Sequence, residues 1–208
     1  MQNESQPSVV EVHSLREYFR ESVHGALARQ HVAVGGETEQ YVVNLLTLFA
    51  RSEALFDQTP DGARIKPLVV MLTEALEART GRERCAGLQR LGDVSLFVAG
   101  FFAQGFARKL IDIDYHIAMG GRAYGTLSDA VRGSARAALG PVFAELAAKF
   151  QQLVDALNDI SESGYQHSDQ DILRLYEIWL KTGSRRAGRL LSELGVTPSA
   201  GARTAFSH

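Results

Sequence analysis

Apolar residues recur at helical spacing through most of the chain. Leu15, Phe19, Val23 and Leu27 fall at every fourth position, with Tyr18, Ser22 and Ala26 alongside, which predicts a helix from about 14 to 30. Ser14 is placed as its N-cap and Glu17 as the partner in a capping box. A short extended piece, His31 to Val34, leads to Gly35-Gly36. A second helix, carrying Tyr41, Val42, Leu45, Leu46 and Phe49, is predicted from about 38 to 56. Pro60-Asp61-Gly62 turns the chain, and Pro67 opens a third helix that stops before Gly81.

The next helix, from about 82 to 105, changes character along its length. Cys85, Leu88 and Leu91 form one apolar face against Arg82, Glu83, Gln89 and Arg90, whereas Val94 to Phe106 is apolar nearly all round. That change predicts a helix running from the surface into the middle of a bundle. A helix from about 114 to 125 follows, in which Gly120, Gly121 and Gly125 are expected to admit the close approach of another backbone. Ser128 is placed to cap a helix from Asp129 to Leu139, which Gly140-Pro141 breaks.

The clearest periodicity lies between Pro141 and Ser161. Phe143, Leu146, Phe150, Leu153, Leu157 and Ile160 alternate steps of three and four, the a/d positions of a heptad. This seam serves either the inside of a monomeric bundle or a homodimer interface, and the dimer is the expectation. Two last helices, Asp169 to Lys181 and Ser184 to Leu194, are joined by Thr182-Gly183. The whole is an all-α, single-domain bundle of about eight helices with a buried central helix. The domain spans 13–196, between flexible ends at 1–12 and 197–208.

Composition narrows the function classes. With 22 basic and 24 acidic residues the net charge is −2, so no global positive field draws nucleic acid or anionic membrane. The single cysteine, Cys85, rules out an intramolecular disulfide and a cysteine-based zinc cage. Residues 1–10 have no basic, apolar or cleavage region of a secretory signal, and the Val94–Phe106 run is too short to span a bilayer. A cytoplasmic protein without a membrane partner is the expectation.

Candidate chemistry gathers in one stretch. Asp93, Asp112, Asp114, Tyr115, His116, Arg122 and Tyr124 are polar groups in apolar surroundings, suited to a small-molecule site. Asp112 and His116 share a helical face and form the candidate metal pair. The competing structural reading makes Asp93 and Asp112 or Asp114 helix caps, with Arg122 neutralising one of them. His24 and His31 lie seven residues apart along one edge of the first helix and read as solvated surface residues. No paired Glu-x-x-His motif, haem-attachment motif, phosphate loop or nucleophile elbow is present, so no catalytic residue and no cofactor is assigned.

The segment LYEIWLKTGSRRAGRLLSELGV has the outline of a helix-turn-helix, with Arg185, Arg186 and Arg189 placed to reach phosphates. Its apolar faces equally suit a hairpin packed on the bundle, and nucleic acid is the least favoured partner. The leading expectation is therefore a non-catalytic regulatory or adaptor protein, homodimeric or bound to another protein. A ligand- or metal-binding bundle, with an enzyme among its forms, is the alternative.

Overall fold

A computed structural model describes residues 15–50, 52–59, 62–101, 113–161 and 182–193, together with Tyr176 and Trp179. Within them the chain is all-α: α1 (Leu15–Arg29), α2 (Gly36–Phe49), α3 (Ser52–Leu55), α4 (Leu68–Leu76), α5 (Gly81–Phe101), α6 (Ile113–Ala130), α7 (Gly140–Ala148), α8 (Phe150–Ser161) and α9 (Arg185–Glu193). A small antiparallel hairpin, β1 (Asp57–Thr59) with β2 (Gly62–Arg64), sits between α3 and α4 and pairs Asp57 with Arg64. The ends expected to be flexible, 1–12 and 197–208, lie outside the described residues, as does the helix expected at 169–181 apart from Tyr176 and Trp179.

The buried central helix is α5. Thr80 and Glu83 form a reciprocal capping box at its start: the Glu83 amide donates to Thr80 Oγ1 at 3.1 Å, and the Thr80 amide donates to Glu83 Oε2 at 3.2 Å. From Val94 to Gly100 every residue is buried, with Phe49 of α2 on Phe97, Gly120 of α6 on Ser95 and Leu157 of α8 on Gly100. No helix of the described residues is long and apolar enough to cross a membrane.

Three boundaries differ from the periodicity. The helix expected from 38 to 56 is divided into α2 and α3. The helix expected to end near 125 continues to Ala130, so Ser128 lies inside α6 and caps nothing; its hydroxyl donates to the Gly140 carbonyl at 3.1 Å. The helix expected from Asp129 to Leu139 is reduced to turns and one 3₁₀ turn, Ala137–Leu139, with Gly133 at φ 76°.

A fourth difference concerns the heptad. Lys149, at φ −112° and ψ 18°, separates α7 from α8. Its ammonium donates to Glu145 Oε1 (2.7 Å), one turn earlier, and to the Ala33 carbonyl, a contact no local pattern reveals. All six seam residues, Phe143, Leu146, Phe150, Leu153, Leu157 and Ile160, are buried within one chain. The seam is therefore the inside of the bundle, and these side chains are not available to a second copy.

Of the glycines in α6, only Gly120 sits in a tight contact, against the Phe150 ring and the Ser95 Cβ; Gly121 and Gly125 have ordinary van der Waals surroundings. At the end of α1 the chain reverses through His31, at φ 53°. The Val32 amide bonds the Leu27 carbonyl and the His31 amide bonds the Ala28 carbonyl, a Schellman arrangement with histidine where glycine is usual.

Candidate functional site

The polar cluster inside the bundle is centred on Asp93, midway along α5. The carboxylate is half-buried, and its Oδ1 accepts two phenolic hydroxyls, from Tyr41 of α2 at 2.7 Å and from Tyr124 of α6 at 2.6 Å. Gln89, one turn earlier on α5, donates to the Tyr41 oxygen at 2.9 Å, and Arg136, in the turn after α6, donates to Gln89 Oε1 at 2.6 Å. The chain of bonds thus ties α2, α5, α6 and the 131–139 turn together.

Aromatic rings wall this network. Phe143 of α7 stacks on the Tyr124 ring with centroids 6.1 Å apart and meets the Tyr41 ring edge-on at 5.7 Å. Tyr124 is wholly buried, and its ring fills the space where Gly92 lacks a side chain: a Cβ there would lie 2.7 Å from the tyrosine Cε1. The cluster is dry enough that burial raises Asp93 to about 6, although both tyrosine bonds and the charges of Arg90 and Arg136 act the other way. Burial, reinforced by the charge of Asp93, pushes both phenols upward, so they remain donors.

Neither guanidinium pairs with the carboxylate. Arg90 donates to the Ala54 carbonyl and, at 2.8 Å, to the Leu55 carbonyl, and lies over the Phe49 ring at 5.1 Å. Arg136 is spent on Gln89 and lies over Phe143 at 5.9 Å. Asp93 is consequently a carboxylate in an aromatic surround held by neutral donors alone.

The structure joins two of the sequence-predicted ligand residues, Asp93 and Tyr124. Asp93 is not a helix cap, as the structural reading had it. Asp112 lies outside the described residues, and with it the candidate metal pair. Asp114 stands in the first turn of α6, Tyr115 and Arg122 are exposed, His116 is half-buried, and none of the four donates to Asp93. Among the described residues no group of three or more His, Cys, Asp or Glu side chains is arranged to hold a metal ion. Tyr41, Gln89 and Arg136 were missed; the only local signal was the i,i+4 spacing of Gln89 and Asp93 along α5.

A second polar cluster fixes α9. Asp155 of α8, buried, accepts the Ser184 hydroxyl at 2.7 Å and the Gln151 amide at 2.9 Å on Oδ1, together with the Arg186 backbone amide. Ser184 Oγ in turn accepts the Ala187 amide at 3.1 Å and caps the helix. Burial raises the Asp155 carboxyl, with these bonds and the Arg186 charge restraining the rise. Arg186 is 4% exposed and Arg189 lies 3.9 Å from Asp159, which Arg29 also binds at 2.7 Å. The row of arginines assigned to phosphates is thus broken by Arg186, which is turned into the bundle; Arg185 stays exposed.

Two other surfaces complete the picture. A hollow of about 310 Å³ between α4, α5 and β1 is bordered by Asp57, Lys66, Met71, Glu74, Glu83 and Arg90. On the outer side of α4, Val69 is 57%, Val70 41% and Leu76 54% exposed around the exposed Thr73, while Leu68, Met71 and Ala75 on its inner side are buried against the core. Comparison of the chain with protein-family models, with characterised proteins and with solved structures gives no match.

Proposed function

We propose that the protein is a non-catalytic helical module that works through protein–protein contact, with the outer face of α4 as the contact surface and a second copy of the chain as its partner. The observation that carries this reading is the exposure of Val69, Val70 and Leu76 on one short helix. Large aliphatic side chains grouped in this way are favourable to cover, at roughly 25 cal/mol per Å² removed from water. The polar clusters support the reading from the other side. The hydroxyls of Tyr41 and Tyr124 are engaged with Asp93, and Asp155 is engaged with α9, so both clusters brace helices.

Because the heptad seam is buried within one chain, a homodimer has to form on other surface, and α4 offers it. A nine-residue helix is about 14 Å long and presents far less than the ~800 Å² per partner of a standard interface. The association expected through α4 alone is therefore weak. Sedimentation velocity from micromolar to near-millimolar concentration tests it: the wild type should shift toward dimer, and Val69→Lys with Leu76→Glu should remain monomeric with an unchanged helical spectrum. A wild type that stays monomeric throughout, or a double variant that associates equally well, defeats the reading.

One observation favours a second reading, binding of a small charged molecule in the hollow beside α4. Lys66, bonded to Glu74 at 3.0 Å, borders that hollow together with Asp57, Arg90, Met71 and Ala75. A charged ligand that raises the melting temperature of the wild type but not of Lys66→Ala would support it, and a flat screen would count against it.

A further inference from the structure

The exposed strip of α4 has an apolar middle and two oppositely charged ends. Successive residues turn by 100° round a helix, so Val69, Val70, Leu76 and Glu77 all lie within about 60° of Thr73. The Thr73 hydroxyl donates to the Val69 carbonyl at 3.0 Å, which leaves the polar group at the middle of the strip satisfied by its own helix. Lys66 stands before the helix. Pro67, in the N-cap position, supplies no capping side chain, and the first turn holds no acidic residue, so this end is positive through both the ammonium and the helix dipole. Glu77, exposed in the C-cap position, makes the other end negative, and no basic residue occupies the last turn. Each charge sits where the dipole of its own helix disfavours it.

We propose, on the reading that a second copy covers α4, that the two helices pair antiparallel about a two-fold axis beside Thr73, with Glu77 of each copy set against the Lys66 end of the other. A two-fold interface uses one patch twice, so a contact from one end of the strip to the other recurs in reverse. Antiparallel pairing lays Val69 beside Leu76 of the second copy and gives both carboxylates a positive end. Parallel pairing would bring the two Glu77 carboxylates together. Lys66 is bonded to Glu74 at 3.0 Å, but an ammonium carries three donors and can serve a second carboxylate as well. The charges that α4 disfavours on its own are thereby matched in the pair, and Glu77 sets the orientation.

Sedimentation velocity on the full-length chain separates this geometry from the dimer itself. Glu77→Lys should weaken self-association about tenfold, because the reversed charge acts at both ends of the interface. Its fold should be intact, since lysine is favoured at a helix C-terminus. Adding Lys66→Glu to the same chain should recover most of the loss. A wild type that stays monomeric defeats the dimer reading and this geometry with it. A wild type that dimerises while Glu77→Lys dimerises equally well, or a double variant no better than Glu77→Lys, leaves the dimer standing and overturns the antiparallel pairing. Cross-linking supplies the test if the double variant does not fold. With the free thiol removed by Cys85→Ser, Val69→Cys chains mixed with Leu76→Cys chains and oxidised should give the mixed disulfide in preference to either like pair. An excess of like pairs also overturns the proposal.

Discussion

Phe150 places the edge of its ring in the space that a Cβ on residue 120 would occupy, so α6 and the start of α8 meet through the missing side chain of Gly120. The same spot is closed from a third side by the Ser95 Cβ, 2.7 Å from the Cβ position. Gly120→Ala should therefore destabilise the fold by about 1–3 kcal/mol through overpacking. Gly121→Ala is the contrast: its nearest neighbour would be the Ala147 carbonyl at 3.8 Å, so the gain in helix propensity should stabilise by up to about 1 kcal/mol. Urea denaturation of the two variants should give shifts of opposite sign.

Asp93 makes stability depend on pH in a defined direction. Its folded-state value, about 6, lies above its ordinary 3.8, so its contribution is most favourable below 3.8 and is lost as the pH rises through 6. Asparagine keeps an oxygen for both phenolic hydroxyls and carries no charge. Asp93→Asn should be more stable than the wild type at pH 7.5 by about 1–3 kcal/mol, and the two proteins should converge near pH 4. Thermal or urea unfolding across that range measures the difference directly, and a variant less stable at pH 7.5 would show that the ionised form is the favoured one.

His31 occupies a left-handed backbone position at φ 53°, where a Cβ is unfavourable by roughly 1–2 kcal/mol. Glycine would relieve that strain and restore some of it as chain entropy in the unfolded state. The net expectation for His31→Gly is a stabilisation of a few tenths to about 1 kcal/mol, and for His31→Val a loss of about 1–2 kcal/mol. Since His31 is exposed, its replacement removes little packing, and a midpoint shift in urea isolates the backbone contribution.

The clamp between Asp155 and α9 predicts a local effect. Arg186→Ala removes a buried guanidinium whose charge favours the ionised Asp155 and should cost about 2–4 kcal/mol, whereas Arg185→Ala, at an exposed position, should be nearly neutral. Faster proteolysis within α9 in the first variant and not in the second would locate the loss. Equal susceptibility would remove Arg186 from the clamp.

Much of this architecture was legible in the chain, and what was not legible depended on distant residues. The nearly all-round apolarity of Val94–Gly100 identified the central helix, because burial on every side leaves no place for charged residues and admits Ser95 alone among polar ones. A local capping box, Thr80-Gly-Arg-Glu83, was present in the sequence but was not read. By contrast, nothing near Lys149 signals the break between α7 and α8, because the ammonium is drawn to a carbonyl 116 residues away. Hydrophobic steps of three and four carry straight through that break, so the periodicity was right about which residues face inward and silent about which chain they face. At the Asp93 cluster, the polar stretch in α5 and α6 contained Asp93 and Tyr124 but did not mark these two off from exposed neighbours such as Tyr115 and Arg122. The cluster's other members Tyr41 and Arg136 come from elements that only the tertiary fold brings together.

One cap has a consequence for the order in which the chain acquires structure. The residue before α2, Gly35, gives its amide to Glu145 Oε2 at 2.9 Å, and Thr38 bonds the same carboxyl, which lies below its ordinary value despite the opposing effect of burial. No side chain of the Gly35 N-cap residue is available for the task. During synthesis α1 and α2 leave the ribosome with that first turn uncapped, and the carboxylate that completes it follows 110 residues later. Fragments ending before Gly140 should accordingly hold the hairpin of α1 and α2 with a frayed start to its second helix, and the arrival of α7 closes a loop as well as filling the core.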